Sequence, residues 1–169
     1  DNALDSSWLR KTDTVADYYM GLRDKYNPGK PIWITETAEA AAGGDPFSAT
    51  YLDCFRYLYQ LGSLAKKGVK VIMHNTLAAS EYSLIDQDTH LPKPNYWAAL
   101  LWHDLMGTEV YDPGTSKPGV YLFAHNLKGQ TGGISLLVIN TNKDSVPVHI
   151  PSNADQYTLT SKELQGKTV

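Results

Sequence analysis

The sequence predicts an α/β layer followed by an antiparallel β module. Three observations carry this. Short apolar runs at Ile32–Thr35 and Val69–Met73 are bounded by Pro and Gly, as buried strands are. Apolar residues at helical spacing precede, separate and follow them. Beyond Asp112 that spacing stops, and short β-favouring runs alternate with turn signals.

Taken in order, Asp5-Ser6-Ser7 offers N-caps for a helix from Trp8 to about Tyr26, which Asn27-Pro28-Gly29 stops. The strand Ile32–Thr35 follows. Asp45-Pro46 reads as an N-cap with proline at the first helical position. Tyr51, Leu52, Phe55, Leu58 and Tyr59 then recur at helical spacing up to Leu64. Lys66-Lys67-Gly68 places positive charge in the last turn and glycine just past it. The strand Val69–Met73 ends in His74-Asn75. A long irregular stretch, Thr76 to Lys93, leads to a helix opened by Pro94-Asn95, lined by Trp97, Leu100, Leu101 and Leu105, and closed by Gly107. This alternation is the grammar of a parallel layer with right-handed crossovers.

Asp112 to Gly119 is a turn-rich linker. Strands are expected at Val120–His125, Ile134–Asn140, Val146–Ile150 and Tyr157–Thr160. The domain boundary is placed at residues 112–118, with 1–111 before it and 119–169 after it.

The chain has 169 residues and 42% apolar content, enough for one domain or pieces of two. Its net charge is −3 and its 15 basic residues are scattered, which argues against a nucleic-acid partner. The single cysteine, Cys54, excludes an internal disulfide and a cysteine-based zinc knuckle; it reads as a small buried residue. His74, His90 and His103 follow no metal motif, so no metal and no cofactor is expected. There is no run of membrane length and no signal peptide. The start at Asp1-Asn2-Ala3 and the end at Gly166–Val169 read as cut from a longer chain.

Strand ends are where parallel α/β folds present chemistry. The first strand ends in Glu36, the second in His74 and Asn75, and the irregular stretch adds Glu81, Tyr82 and Asp86. Glu36 is therefore either a chemical group or a satisfied structural acid. Carboxylates beside tyrosines and tryptophans suit sugar chemistry, in which glycoside hydrolysis needs two carboxyl groups.

The ordered set of motifs resembles a known family. It comprises Trp33-Ile-Thr-Glu36-Thr37, Gly43-Gly44-Asp45-Pro46, Leu61-Gly62, Gly68-Val-Lys-Val-Ile-Met73, Tyr82-Ser-Leu84 with Asp86, and Pro94-Asn-Tyr96-Trp97. It continues through Leu100-Leu-Trp-His-Asp-Leu-Met-Gly107-Thr108, His125, Gly133-Ile-Ser-Leu-Leu137 and Asn140. In collinear order these are similar to the heparanase and β-glucuronidase family of retaining glycosidases, glycoside hydrolase family 79. The resemblance implies the C-terminal part of a (β/α)8 TIM barrel followed by a β-sandwich. Ile32–Thr35 would be strand seven and Val69–Met73 strand eight.

The same resemblance implies site roles. Glu36 matches the nucleophile. Gly43 and Gly44 match the loop whose amides receive the substrate's uronic carboxylate, an anion that an amide nest suits. Tyr82 matches a tyrosine that contacts the sugar. The implied partner is a glycan or glycoside, and the implied setting is secreted or periplasmic.

Three positions depart from the pattern. Ala42 and Glu81 stand where heparanases tend to have Gly and Asn, and Asn126 stands where some relatives have a cysteine. Glu81 would repel a uronate unless His74 pairs with it. The family carries its acid/base in an Asn-Glu pair, and no such pair occurs here; it is expected in preceding sequence of the same protein. Within the chain, Glu39 and Glu81 are the nearby carboxylates. Two alternatives stay open: a retaining barrel glycosidase for another sugar, such as a xyloside or arabinofuranoside, and a non-catalytic glycan-binding relative. The fragment alone is expected to be inactive and poorly soluble.

Overall fold

A computed structural model describes residues 3–41 and 44–169. It contains helices and strands in two small sheets. Helices α1 (Ser6–Leu9) and α2 (Lys11–Tyr26) replace the single first helix expected from the sequence. The break falls at Arg10, whose N–H bonds back to Ser6 O. After α2, Arg23 Nη1 donates to Lys30 O at 2.9 Å and folds the chain back towards the first strand.

Strand β1 (Trp33–Thr37) and strand β2 (Val71–His74) pair in parallel, joined by helix α3 (Tyr51–Lys66). The register sets Trp33 opposite Val71, Ile34 opposite Ile72 and Thr37 opposite His74, with an irregularity between Ile34 and Thr37. Parallel strands need such a crossover, and α3 supplies it. The helix starts later than expected. Asp45-Pro46 forms a turn instead, in which Asp45 Oδ1 accepts the N–H groups of Phe47 and Ser48 at 2.7 and 3.2 Å. An acid at this position can cap a turn as well as a helix.

Helix α3 is the centre of the molecule. Leu64, Ala16 and Val69 pack beneath the parallel sheet. Cys54, Tyr57 and Leu61 pack on Ala98 of helix α4 (Pro94–Leu105), and Tyr59 packs on Leu9, Phe123 and Ile139. Cys54 is buried, and burial raises its thiol pKa, so it is an inert packing residue.

The second sheet holds β3 (Met106–Tyr111), β4 (Val120–Leu127) and β5 (Ile134–Asn140) in that order, antiparallel. Strand β3 was not expected, because Gly107 reads as a helix terminator. Here Gly107 opens an edge strand. Its carbonyl accepts from His125 Nδ1 at 2.7 Å, and Asn126 Oδ1 takes the Glu109 N–H at 2.8 Å where the ladder slips. A side chain at position 107 would collide with Asn126. The strands expected at Val146–Ile150 and Tyr157–Thr160 do not form. Among the described residues no ladder pairs either segment with a strand; Leu159 instead packs on the α3–α4 core and its carbonyl accepts from Tyr51 Oη at 2.9 Å. The tail serves α3 instead: Gly166 O and Leu164 O accept the N–H groups of Tyr51 and Leu52 at 2.8 and 2.7 Å. Among the described residues, no helix is long and apolar enough to cross a membrane.

Candidate active site

The sheet pairing brings the two strand ends together. Glu36 lies one residue before the end of β1, and Asn75 follows β2 directly. Asn75 Nδ2 donates to Glu36 Oε1 at 2.9 Å, and Asn75 N–H donates to Thr37 O at 2.8 Å. Glu36 itself is exposed. Past the register irregularity, Thr37 faces α3. Its hydroxyl meets the buried Gln60 amide of α3, whose Nε2 donates to Thr37 Oγ1 at 3.0 Å and to Thr12 Oγ1 at 3.1 Å. Gln60 in turn belongs to a buried polar cluster. Arg56 grips Asp53 through Nε and Nη2 at 2.5 and 3.1 Å and reaches Gln60 Oε1 at 3.4 Å. Asn95 Nδ2 donates to Asp53 from α4. These bonds tie the residue beside Glu36 to three helices, α2, α3 and α4.

The loop after β1 returns over the strand end. Gly43 lies outside the described residues. Gly44 has φ +99°, which disfavours any other residue, and a Cβ there would sit 2.7 Å from Ser48 Oγ and 3.2 Å from Glu81 Cβ. Its N–H points at Ala41 O at 3.5 Å. Glu39 does not join Glu36. Its Oε2 accepts from Ser48 Oγ at 3.2 Å, beside Asp45. Burial, then the hydrogen bond and charge of Asp45, push Glu39 up to about 7.

His74 does not pair with Glu81. Its Nε2 donates to Tyr82 O at 2.9 Å, and its ring stands edge-on to Tyr57. Burial holds its pKa below the ordinary value, partly opposed by the Tyr82 bond, so the imidazole is neutral at pH 7. Tyr82 is 9% exposed, a mostly buried ring. Glu81 is exposed. Asn75 is the polar partner of Glu36, although the sequence alone assigns it no role. The signal was available: adjacent parallel strands place their C-terminal residues side by side.

No protein-family model matches the chain. Over 169 residues the chain is 33% identical to heparanase-like protein 1 of Arabidopsis thaliana, covering 98% of this chain and 31% of that protein. It is 36% identical over 172 residues to a baicalin-beta-D-glucuronidase of Scutellaria baicalensis, covering 93% and 32%. It is 32% identical over 155 residues to heparanase of Gallus gallus, covering 83% and 29%. The chain belongs to the heparanase-like family.

This heparanase-like chain spans about a third of the length of those relatives. The names of two of those relatives, a glucuronidase and a heparanase, are those of glycoside hydrolases. Among the described residues no cluster of His, Cys, Asp or Glu could hold a metal ion.

Proposed function

We propose that the chain supplies the nucleophile side of a retaining glycosidase site that cleaves glucuronides or related glycans. The observation that carries this reading is Glu36, exposed at a strand end with its carboxylate held by Asn75 at 2.9 Å. A donor on one oxygen orients the carboxylate, leaving Oε2 as the attacking atom.

In this reading Glu36 Oε2 attacks the anomeric carbon as the bond to the leaving oxygen breaks. A carboxylic acid, supplied by preceding sequence of the same protein, gives its proton to that oxygen. The product is a glycosyl ester on Glu36. Water then attacks the same carbon and passes a proton to the acid's conjugate base, and Glu36 is released with configuration retained. The second carboxyl belongs about 5 Å from the first in retaining enzymes. Glu39 has the poise of an acid near neutral pH, but its contacts direct it to Ser48 and Asp45. The β1–α3–β2 unit is then the end of a (β/α)8 barrel, and β3–β5 are part of a β-sandwich. A secreted or periplasmic setting goes with this reading.

One feature favours a second reading. Glu81 stands against Gly44, where a uronate carboxylate would be received. Its charge suits a neutral sugar, such as a xyloside or arabinofuranoside, better than a uronide.

The test uses the whole protein that contains this chain. It is incubated with a glucuronic-acid-configured covalent glycosidase inhibitor, and the labelled peptide is mapped by mass spectrometry. Label on Glu36 is the expected result. Folded protein labelled only by a neutral-sugar analogue moves the assignment to the second reading. Folded protein that no analogue labels defeats both.

A further inference from the structure

Lys93 is the residue before α4 and has no part in the machinery described above. Its ammonium donates to Ser80 O at 3.3 Å, to Glu81 O at 3.1 Å and to Ser83 Oγ at 3.0 Å. An ammonium has three N–H donors, and all three are spent on one short stretch of loop. The Lys93 backbone N–H donates to Leu84 O at 2.8 Å. From the opposite side His74 Nε2 takes Tyr82 O. The carbonyls of residues 80, 81 and 82 and the hydroxyl of 83 are therefore all engaged by side chains from neighbouring elements. Ser83 is fully buried, and its hydroxyl donates a hydrogen bond to Ile85 O at 2.7 Å.

These bonds hold residues 80–83 in place although they form no helix or strand. Bonds from a charged donor are stronger than neutral ones. The segment carries Glu81, whose Cβ lies against Gly44, and Tyr82. Moving its backbone would change the gap between these two loops.

We propose that Lys93 is a positioning residue for substrate recognition, setting the Glu81–Tyr82 loop at its distance from Gly44. The proposal rests on the reading that this cleft takes a glycoside. Lys93 acts through the loop and touches neither Glu36 nor Asn75, so its loss affects binding more than the chemical step.

The experiment compares Lys93→Met, Lys93→Arg and wild type in the whole protein. It reads steady-state kinetics on an aryl β-glucuronide and an aryl β-xyloside, and hydrogen exchange of the amides of residues 83–85. Lys93→Met is expected to raise KM about tenfold with kcat within about twofold, and to speed exchange at those amides. Lys93→Arg is expected to recover part of both. Ser83→Ala removes one acceptor and leaves the lysine; it gives a smaller KM rise and serves if Lys93→Met does not fold. Active wild type with unchanged KM in folded Lys93→Met or Ser83→Ala overturns the positioning role alone. Unchanged exchange in the same variant does likewise. Folded wild type that hydrolyses neither glycoside overturns the glycosidase reading, and the proposal with it.

Discussion

Asn75 Nδ2 lies 2.9 Å from Glu36 Oε1, across the only lateral pairing that the parallel sheet makes among the described residues. The bond joins the ends of two strands separated in sequence by a whole helix. Asn75→Asp keeps the side chain's shape but turns the donor into an acceptor and sets two carboxylates against each other. We expect kcat to fall about 100-fold, the scale seen when one preorganised donor is lost. The loss should be smaller at acid pH, where one of the two is protonated. A pH–rate profile that is merely scaled down, with no change of shape, would contradict this.

Glu81 sets the expected sugar preference. Glu81→Asn removes a negative charge beside Gly44. On a glucuronide, KM should drop about fivefold through lost repulsion, which is partly screened by water. On a neutral xyloside it should stay within about twofold. Equal changes on both substrates would remove Glu81 from recognition.

Two groups make stability depend on pH in opposite directions. Glu39 is raised in the folded state, to about 7. Its contribution is fully present below the unfolded carboxylate value near 4.5 and is lost as pH rises through about 7. His74 is lowered in the folded state. Its contribution is present above the unfolded value of 6.5 and is lost as pH falls below it. Denaturation curves across pH should show Glu39→Gln flattening the alkaline side. His74→Gln, which keeps a donor for Tyr82 O, should flatten the acid side. If each variant leaves its side of the curve unchanged, these assignments fail.

Gly62 allows the second sheet to sit on α3. A Cβ there would lie 2.3 Å from Phe123 Cγ, inside the ring's own contact shell. Gly62→Ala should destabilise by about 1–3 kcal/mol, the range for overpacking, despite its better helix propensity. Phe123→Leu in the same chain should recover part of that loss, beyond the sum of the single changes. Urea titration of the four proteins gives the coupling.

The sequence displays the βαβ unit because its strands are short apolar runs and its helices have apolar spacing. Glu36 was visible as a strand-end acid by the same reasoning. Other features depend on partners distant in the chain. Strand β3 hides behind Gly107, whose role is set by Asn126, and Val146–Ile150 looks like a strand but joins no ladder among the described residues. The Asp45-Pro46 signal is ambiguous locally, and only the position of Ser48 makes it a turn. Lys93 gave no signal at all, because the carbonyls it binds are not written in residue types. The family resemblance went further than residue spacing did, and the relatives bear out the family.

The tail's grip on α3 has a practical side. Residues 164–166 form a seam with the first turn of the helix whose Gln60 steadies Thr37. Anyone re-engineering this chain should treat that seam as part of the scaffold. An affinity handle belongs outside residues 164–166, where it leaves the seam closed. Trimming back past Leu164 would unbutton the helix from its first turn and loosen, at a distance, the strand that carries Glu36.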